Sequence, residues 1–65
     1  MYGIITIKMP TGSAQFRTNF YDSIYDFLIS KGYSHEIAED IASWAPDVPY
    51  GSKYELDGAE IFITE

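Results

Sequence analysis

The segments that most restrict the fold stand at the two ends of this 65-residue chain. Ile4-Ile5-Thr6-Ile7 lies near the start and Ile61-Phe62-Ile63 near the finish. Successive side chains of a strand point to opposite faces of its sheet. A run that is apolar at both parities therefore belongs in the middle of a sheet, flanked by other strands. The first and last strands are expected to be neighbours at the centre, each with a hairpin partner outside it.

Both partners can be read locally. Tyr2 to Met9 is rich in Ile and Thr, which favour a pleated strand, and Pro10-Thr11-Gly12-Ser13 is a turn signal. With those four residues as the loop, a second strand runs from Ala14 to about Thr18. Met9 then faces Ala14, Ile7 faces Phe16 and Ile5 faces Thr18, with Thr6, Lys8, Gln15 and Arg17 on the other side. At the far end, Asp57-Gly58 between two alternating runs is a type I′ turn signal. It pairs Leu56 with Ala59, Tyr54 with Ile61 and Glu55 with Glu60, and Ile63 continues the apolar face.

Between the hairpins the period changes to that of helices. Asn19 is the expected cap of a first helix, with Asp22 in its first turn and an apolar stripe of Phe20, Ile24, Phe27 and Leu28. Gly32 supplies the left-handed stop. Ser34 caps a second helix, and Tyr33 precedes that cap, placed to staple onto Ala38. Ile37, Ile41, Trp44 and Ala45 form the second stripe; Glu36, Glu39, Asp40 and Ser43 face water, and Pro46 ends the helix. The predicted class is α+β in the order β-β-α-α-β-β. A four-stranded, mainly antiparallel sheet of two hairpins, in strand order 2-1-4-3, carries both helices on one face.

Composition bounds the rest. Six Tyr, four Phe and one Trp are enough for a real core, and residues 1–65 are expected to form a single compact domain. A core of this size supplies roughly 3–5 kcal/mol. There is no cysteine, which rules out disulfides, thiolate catalysis and Cys-ligated metal. The start MYGIITIKMP lacks the pattern of a signal peptide, and no apolar stretch approaches the ~20 residues of a bilayer span, so a cytoplasmic protein without membrane contact is expected.

The residues that could carry chemistry are sparse. His35, the only histidine, falls in the first turn of an exposed helix and reads as a surface residue. Ser34 is explained as a cap, and Ser13, Ser23, Ser30, Ser43 and Ser52 sit in no nucleophile motif. Gly3, Gly12, Gly32, Gly51 and Gly58 are isolated and form no phosphate loop. Asp47, Glu55, Asp57 and Glu60 are oxygen donors suited to a hard cation, but they lack calcium-loop spacing. The chain is expected to be no enzyme, to hold no metal and to need no cofactor.

Charge is the more informative property. Net charge is −6, and the acids are unevenly placed: residues 1–20 hold Lys8 and Arg17 and no acid, whereas residues 21–65 hold ten acids against Lys31 and Lys53, a balance of −8. The helix pair superficially suits a helix-turn-helix. Its second helix, however, exposes Glu36, Glu39, Asp40 and Ser43 and would be repelled by phosphates. With Asp22 and Asp26 these carboxylates make an acidic layer fit to meet a basic protein, including one that handles nucleic acid. The opposite sheet face gathers Tyr2, Ile4, Arg17, Lys53 and Phe62, with Thr6, Lys8, Gln15, Glu55, Glu60 and Thr64 around them. That face suits a partner or a homodimer seam. Single-stranded nucleic acid stacked on the sheet is the alternative, opposed by the overall charge. By analogy only, and on no motif in this sequence, small, acidic, cysteine-free α+β domains are common among accessory proteins of phages and mobile elements, some of which inhibit nucleic-acid-handling enzymes by imitating charge. The expected function, from the charge balance, is a non-enzymatic interaction module.

Overall fold

Ile4–Met9 (β1) and Ala59–Thr64 (β4) lie side by side and antiparallel at the centre of one sheet. Gly12–Arg17 (β2) pairs with β1 on one flank and Lys53–Leu56 (β3) with β4 on the other, giving the order β2-β1-β4-β3. Tyr21–Ser30 (α1) and His35–Trp44 (α2) connect the two hairpins, followed by a 3-10 turn at Ala45–Asp47. The computed structural model describes residues 2–56 and 58–65. The architecture is the α+β arrangement expected from the sequence, with the terminal strands central.

One parity of the strands faces the helices. Ile5 and Ile7 of β1 and Ile61 and Ile63 of β4 are buried together with Ile24 and Leu28 of α1 and with Ala38, Ile41, Ala42 and Ala45. The alanines keep α2 close to the sheet, while Met9, Phe16, Phe27, Tyr33, Ile37 and Trp44 close the rim of this cluster. Trp44 is therefore only half-buried, its ring 5.8 Å from that of Tyr54. Tyr54 has the core parity yet remains 43% exposed, because it stands on an edge strand.

The second hairpin has the expected register: Leu56 opposes Ala59, Tyr54 opposes Ile61 and Glu55 opposes Glu60. Gly58 adopts φ +83°, which a two-residue turn demands. Asp57, the other half of the expected type I′ turn, lies outside the described residues. The first hairpin differs from expectation by two residues. Met9 opposes Gly12, Ile7 opposes Ala14 and Ile5 opposes Phe16, so the loop is Pro10-Thr11 alone and β2 covers Gly12–Arg17 rather than Ala14 to Thr18. Proline fixes the φ that a first corner needs. No non-glycine residue among those described has positive φ, so this turn is not a primed one; Gly12, at φ +141°, closes the hairpin instead. A shift of two leaves every side chain on its expected face.

Two expectations at the start of α1 are corrected. Asn19 is not its cap: Phe20 holds that position and no side-chain bond caps the helix. The chain leaves β2 through a tight turn in which the Phe20 amide donates to the Arg17 carbonyl (3.0 Å), leaving Asn19 one residue too early. Phe20 is accordingly not in the apolar stripe but 50% exposed. The other helix ends follow the sequence. Gly32 at φ +93° donates to Ile29 O, and Tyr33 to Leu28 O, a Schellman closure. Ser34 Oγ accepts from the Ile37 amide at 3.3 Å.

A feature just before β1 escapes the sequence. A Cβ on Gly3 would lie 2.2 Å from the Thr64 carbonyl oxygen and 2.5 Å from the Tyr50 ring. Gly3 is thus the point where three segments meet, and its own carbonyl accepts from the amide of buried Thr18 at 3.0 Å.

Candidate functional site

The helical layer presents carboxylates outward. With Ile24 and Leu28 turned to the core, the 100° step of a helix carries Asp22 and Asp26 to the opposite side of α1. On α2, burial of Ala38, Ile41 and Ala42 does the same for Glu36 and Asp40. All four are exposed, and none makes an ion pair among the described residues. Each helix thus carries an i,i+4 pair of like charges, a spacing that costs a few tenths of a kcal/mol.

Glu39, the fifth acid of the expected face, stands apart. Its Oε2 lies 3.0 Å from His35 Nε2, and His35 Nδ1 shares a short hydrogen bond with the Tyr25 hydroxyl of α1. A ring protonated at Nε2 donates to Glu39 and accepts from Tyr25 at Nδ1. The rings of Tyr25 and His35 meet edge-on at 5.5 Å, and Tyr21 stacks on Tyr25 at 6.2 Å. His35 is exposed, as its position in the first turn of α2 led us to expect, and it has two partners, Tyr25 and Glu39, that the sequence reading did not name. The order hydroxyl–imidazole–carboxylate is that of nucleophilic sites. Here, with the His35 and Glu39 side chains 68% and 53% exposed, water competes for every bond and the chain serves to pin α1 to α2.

On the opposite side no element among the described residues covers the sheet. Cross-strand pairing arranges its face in rows: Arg17, Ile4 and Thr64; then Gln15, Thr6, Phe62 and Lys53; then Ser13, Lys8, Glu60 and Glu55. Ile4, Thr6 and Phe62 are half-buried by their neighbours, and Tyr2 is exposed beyond the end of β1. Lys53 Nζ lies 5.8 Å from the centre of the Phe62 ring and within 3.8 and 4.0 Å of Glu55 and Glu60. It thereby relieves the repulsion expected between those opposed acids. Gln15 donates to Thr6 Oγ1 at 3.1 Å. Lys8 and Arg17 make no ion pair among the described residues, so the β2-β1 half of this face is cationic and the β4-β3 half anionic.

Two concavities touch the face. A shallow groove of about 440 Å³ lies at the turn end of the sheet, lined by Lys8, Met9, Pro10, Leu56 and Glu60 among others. A second, of about 380 Å³, runs along the β2 edge between Ile4, Gln15, Phe16, Arg17 and Phe20. This second groove is what the missed exposure of Phe20 creates. Among the described residues, no group of three or more His, Asp or Glu side chains is placed to hold a metal ion, and no helix is long and apolar enough to cross a membrane.

The structure therefore brings Asp22, Asp26, Glu36 and Asp40 to one layer, diverts Glu39 to His35, and gathers Tyr2, Ile4, Arg17, Lys53 and Phe62 on the other side. No known protein family, curated protein or solved structure matches the chain.

Proposed function

We propose that this protein is a non-enzymatic interaction module whose acidic helical layer binds a basic surface on another protein. The observation that carries the reading is the set Asp22, Asp26, Glu36 and Asp40: four carboxylates on packed helices, none with a cation among the described residues. Helices seated on a core hold such charges in fixed relative positions. A partner's Lys and Arg side chains then meet an ordered array and give up little further entropy to bind it. Spaced carboxylates of this kind substitute for the phosphates that a nucleic-acid-handling protein expects in its groove. An accessory protein of phage or mobile-element type, blocking such a groove, is the specific form of the reading.

The test is capture from a lysate of the source cells on immobilised domain, with bound proteins identified by mass spectrometry at low and at about physiological salt. A basic protein held by the native domain and lost both by added salt and by the triple substitution Asp26→Lys, Glu36→Lys, Asp40→Lys supports the proposal. Retention of the same protein by the folded triple variant sinks it.

A further inference from the structure

We propose that the helix-free sheet face is a homodimer seam with its two-fold axis parallel to the strands, in which Lys8 of each copy meets Glu60 of the other. The argument starts from the rows on that face. A two-fold parallel to the strands keeps each row at its own height and exchanges left for right. Laid on itself in this way, the row Ser13-Lys8-Glu60-Glu55 sets Lys8 over Glu60 and Glu60 over Lys8. The row Gln15-Thr6-Phe62-Lys53 sets the Thr6 methyl over the Phe62 ring, twice, at the centre of the contact. Lys8 of the β2-β1 half thus lies over Glu60 in the β4-β3 half of its mate, while Arg17 falls beyond the start of β3. A two-fold perpendicular to the strands would instead place the Lys8 row over the Arg17-Ile4 row and form no ion pair. Only the first operation is self-complementary, and it matches the nearly aligned packing that twisted sheets adopt face to face.

Charge within one copy agrees with this. Lys8 is directly opposite Glu60 on the neighbouring strand, yet Glu60 turns to Lys53 at 4.0 Å and Lys8 makes no ion pair among the described residues. Lys8 is left available to a second copy. Size makes the contact a small one: four strands of four to six residues form a face of about 20 × 19 Å, so two copies bury about 800 Å², below the standard interface and in the range of weak association. The seam leaves both acidic helical layers on the outside. They are separated by two sheets and lie about 30 Å apart, well beyond the screening length of about 8–10 Å. The dimer would present two acidic faces pointing in opposite directions. The seam does not depend on what those faces bind.

Sedimentation equilibrium over about 10 µM to 1 mM tests it, a range that reaches the weak association expected of a small interface. Lys8→Glu alone and Glu60→Lys alone are each expected to weaken dimerisation at least about tenfold, by setting like charges across the seam twice. An equimolar mixture of the two variants restores both cross-seam pairs and is expected to return to native affinity as a heterodimer. Mixing cannot repair any contact within one chain, so recovery assigns the effect to the seam. The double variant Lys8→Glu, Glu60→Lys keeps opposite charges within the chain as well and is expected to dimerise like the native protein. The triple helix variant leaves dimerisation unchanged, which separates this proposal from the acidic-face reading. A monomer throughout the concentration range, or a mixture no better than its components, overturns the seam. So does binding of a fluorescent oligo-dT that is lost on Arg17→Ala and Phe62→Ala, which would give this face to single-stranded nucleic acid.

Discussion

On the helices, Asp22, Asp26, Glu36 and Asp40 stand without a cation among the described residues, whereas on the sheet Lys53 lies close to Glu55 and Glu60 and over the ring of Phe62. The difference follows from what lies beneath each surface. The helices rest on a closed apolar cluster, so their outer positions contribute nothing to packing and can carry any charge at small cost. The sheet has no layer above it, and its long polar side chains must themselves shelter the apolar ones. The outer helical charges can be changed at no cost to the fold, whereas changing Lys53, which lies beside Glu55, Glu60 and the Phe62 ring, costs some stability.

The largest expected effect removes what both surfaces share. Leu28 and Ile61 are fully buried, one beneath the acidic layer and one in the central strand. Truncating either to Ala is expected to cost about 2–5 kcal/mol, comparable to the roughly 3–5 kcal/mol that a core of this size supplies. Circular dichroism should show both variants largely unfolded, with partner binding and self-association lost together. A folded Leu28→Ala variant that kept one activity and lost the other would show that the surfaces do not share a core.

The next substitution falls on the sheet alone. Gly3→Val places side-chain atoms against the Thr64 carbonyl and the Tyr50 ring, and because the first contact is backbone, a strand must move. Overpacking of this kind costs about 1–3 kcal/mol. Denaturant unfolding should show that loss, and amide exchange should quicken at Thr18, whose N–H bonds to the Gly3 carbonyl, before it quickens in the helices. Unchanged stability would mean that the junction is slack.

How far these positions could be read in advance depended on whether their partners were local. Gly58 sits in a turn whose two flanking runs alternate, so the β3-β4 register followed from adjacent residues. Pro10-Thr11-Gly12-Ser13 allowed loops of two or four residues, and sequence does not weigh a Gly12 at φ +141° against a longer loop. The face assignment survived because the two loops differ by an even number. Asp22, Asp26, Glu36 and Asp40 were legible from helical period alone. The diversion of Glu39 had a local signal, its i,i+4 spacing from His35 on one helix; only the contact of Tyr25 with His35 across the helix-helix turn had none. Gly3 was illegible for the same reason: Thr64 and Tyr50 reach it only after the last strand has paired with the first. Phe20 looked like core because its spacing from Ile24 is helical, but the turn after Arg17 caps the helix at Phe20 and leaves the ring outside.

The smallest effects draw the contrast most finely. Asp26→Lys relieves the like-charge spacing with Asp22 and brings a cation beside it, so stability should stay level or rise by about 0.2–0.5 kcal/mol. Lys53→Glu does the reverse on the sheet. It sets a third carboxylate beside Glu55 and Glu60 and strips the cover from Phe62, and it should lower stability by about 0.5–1 kcal/mol at low salt, with the deficit shrinking as salt is added. Paired urea titrations at two ionic strengths measure both. Opposite signs that converge in high salt would establish that the helical carboxylates are held against the fold's own electrostatic interest, as a surface kept for a partner should be. If Asp26→Lys proves as costly as Lys53→Glu, the acidic layer supports the fold in some way that its contacts do not reveal, and the case for a partner at that surface loses its physical footing.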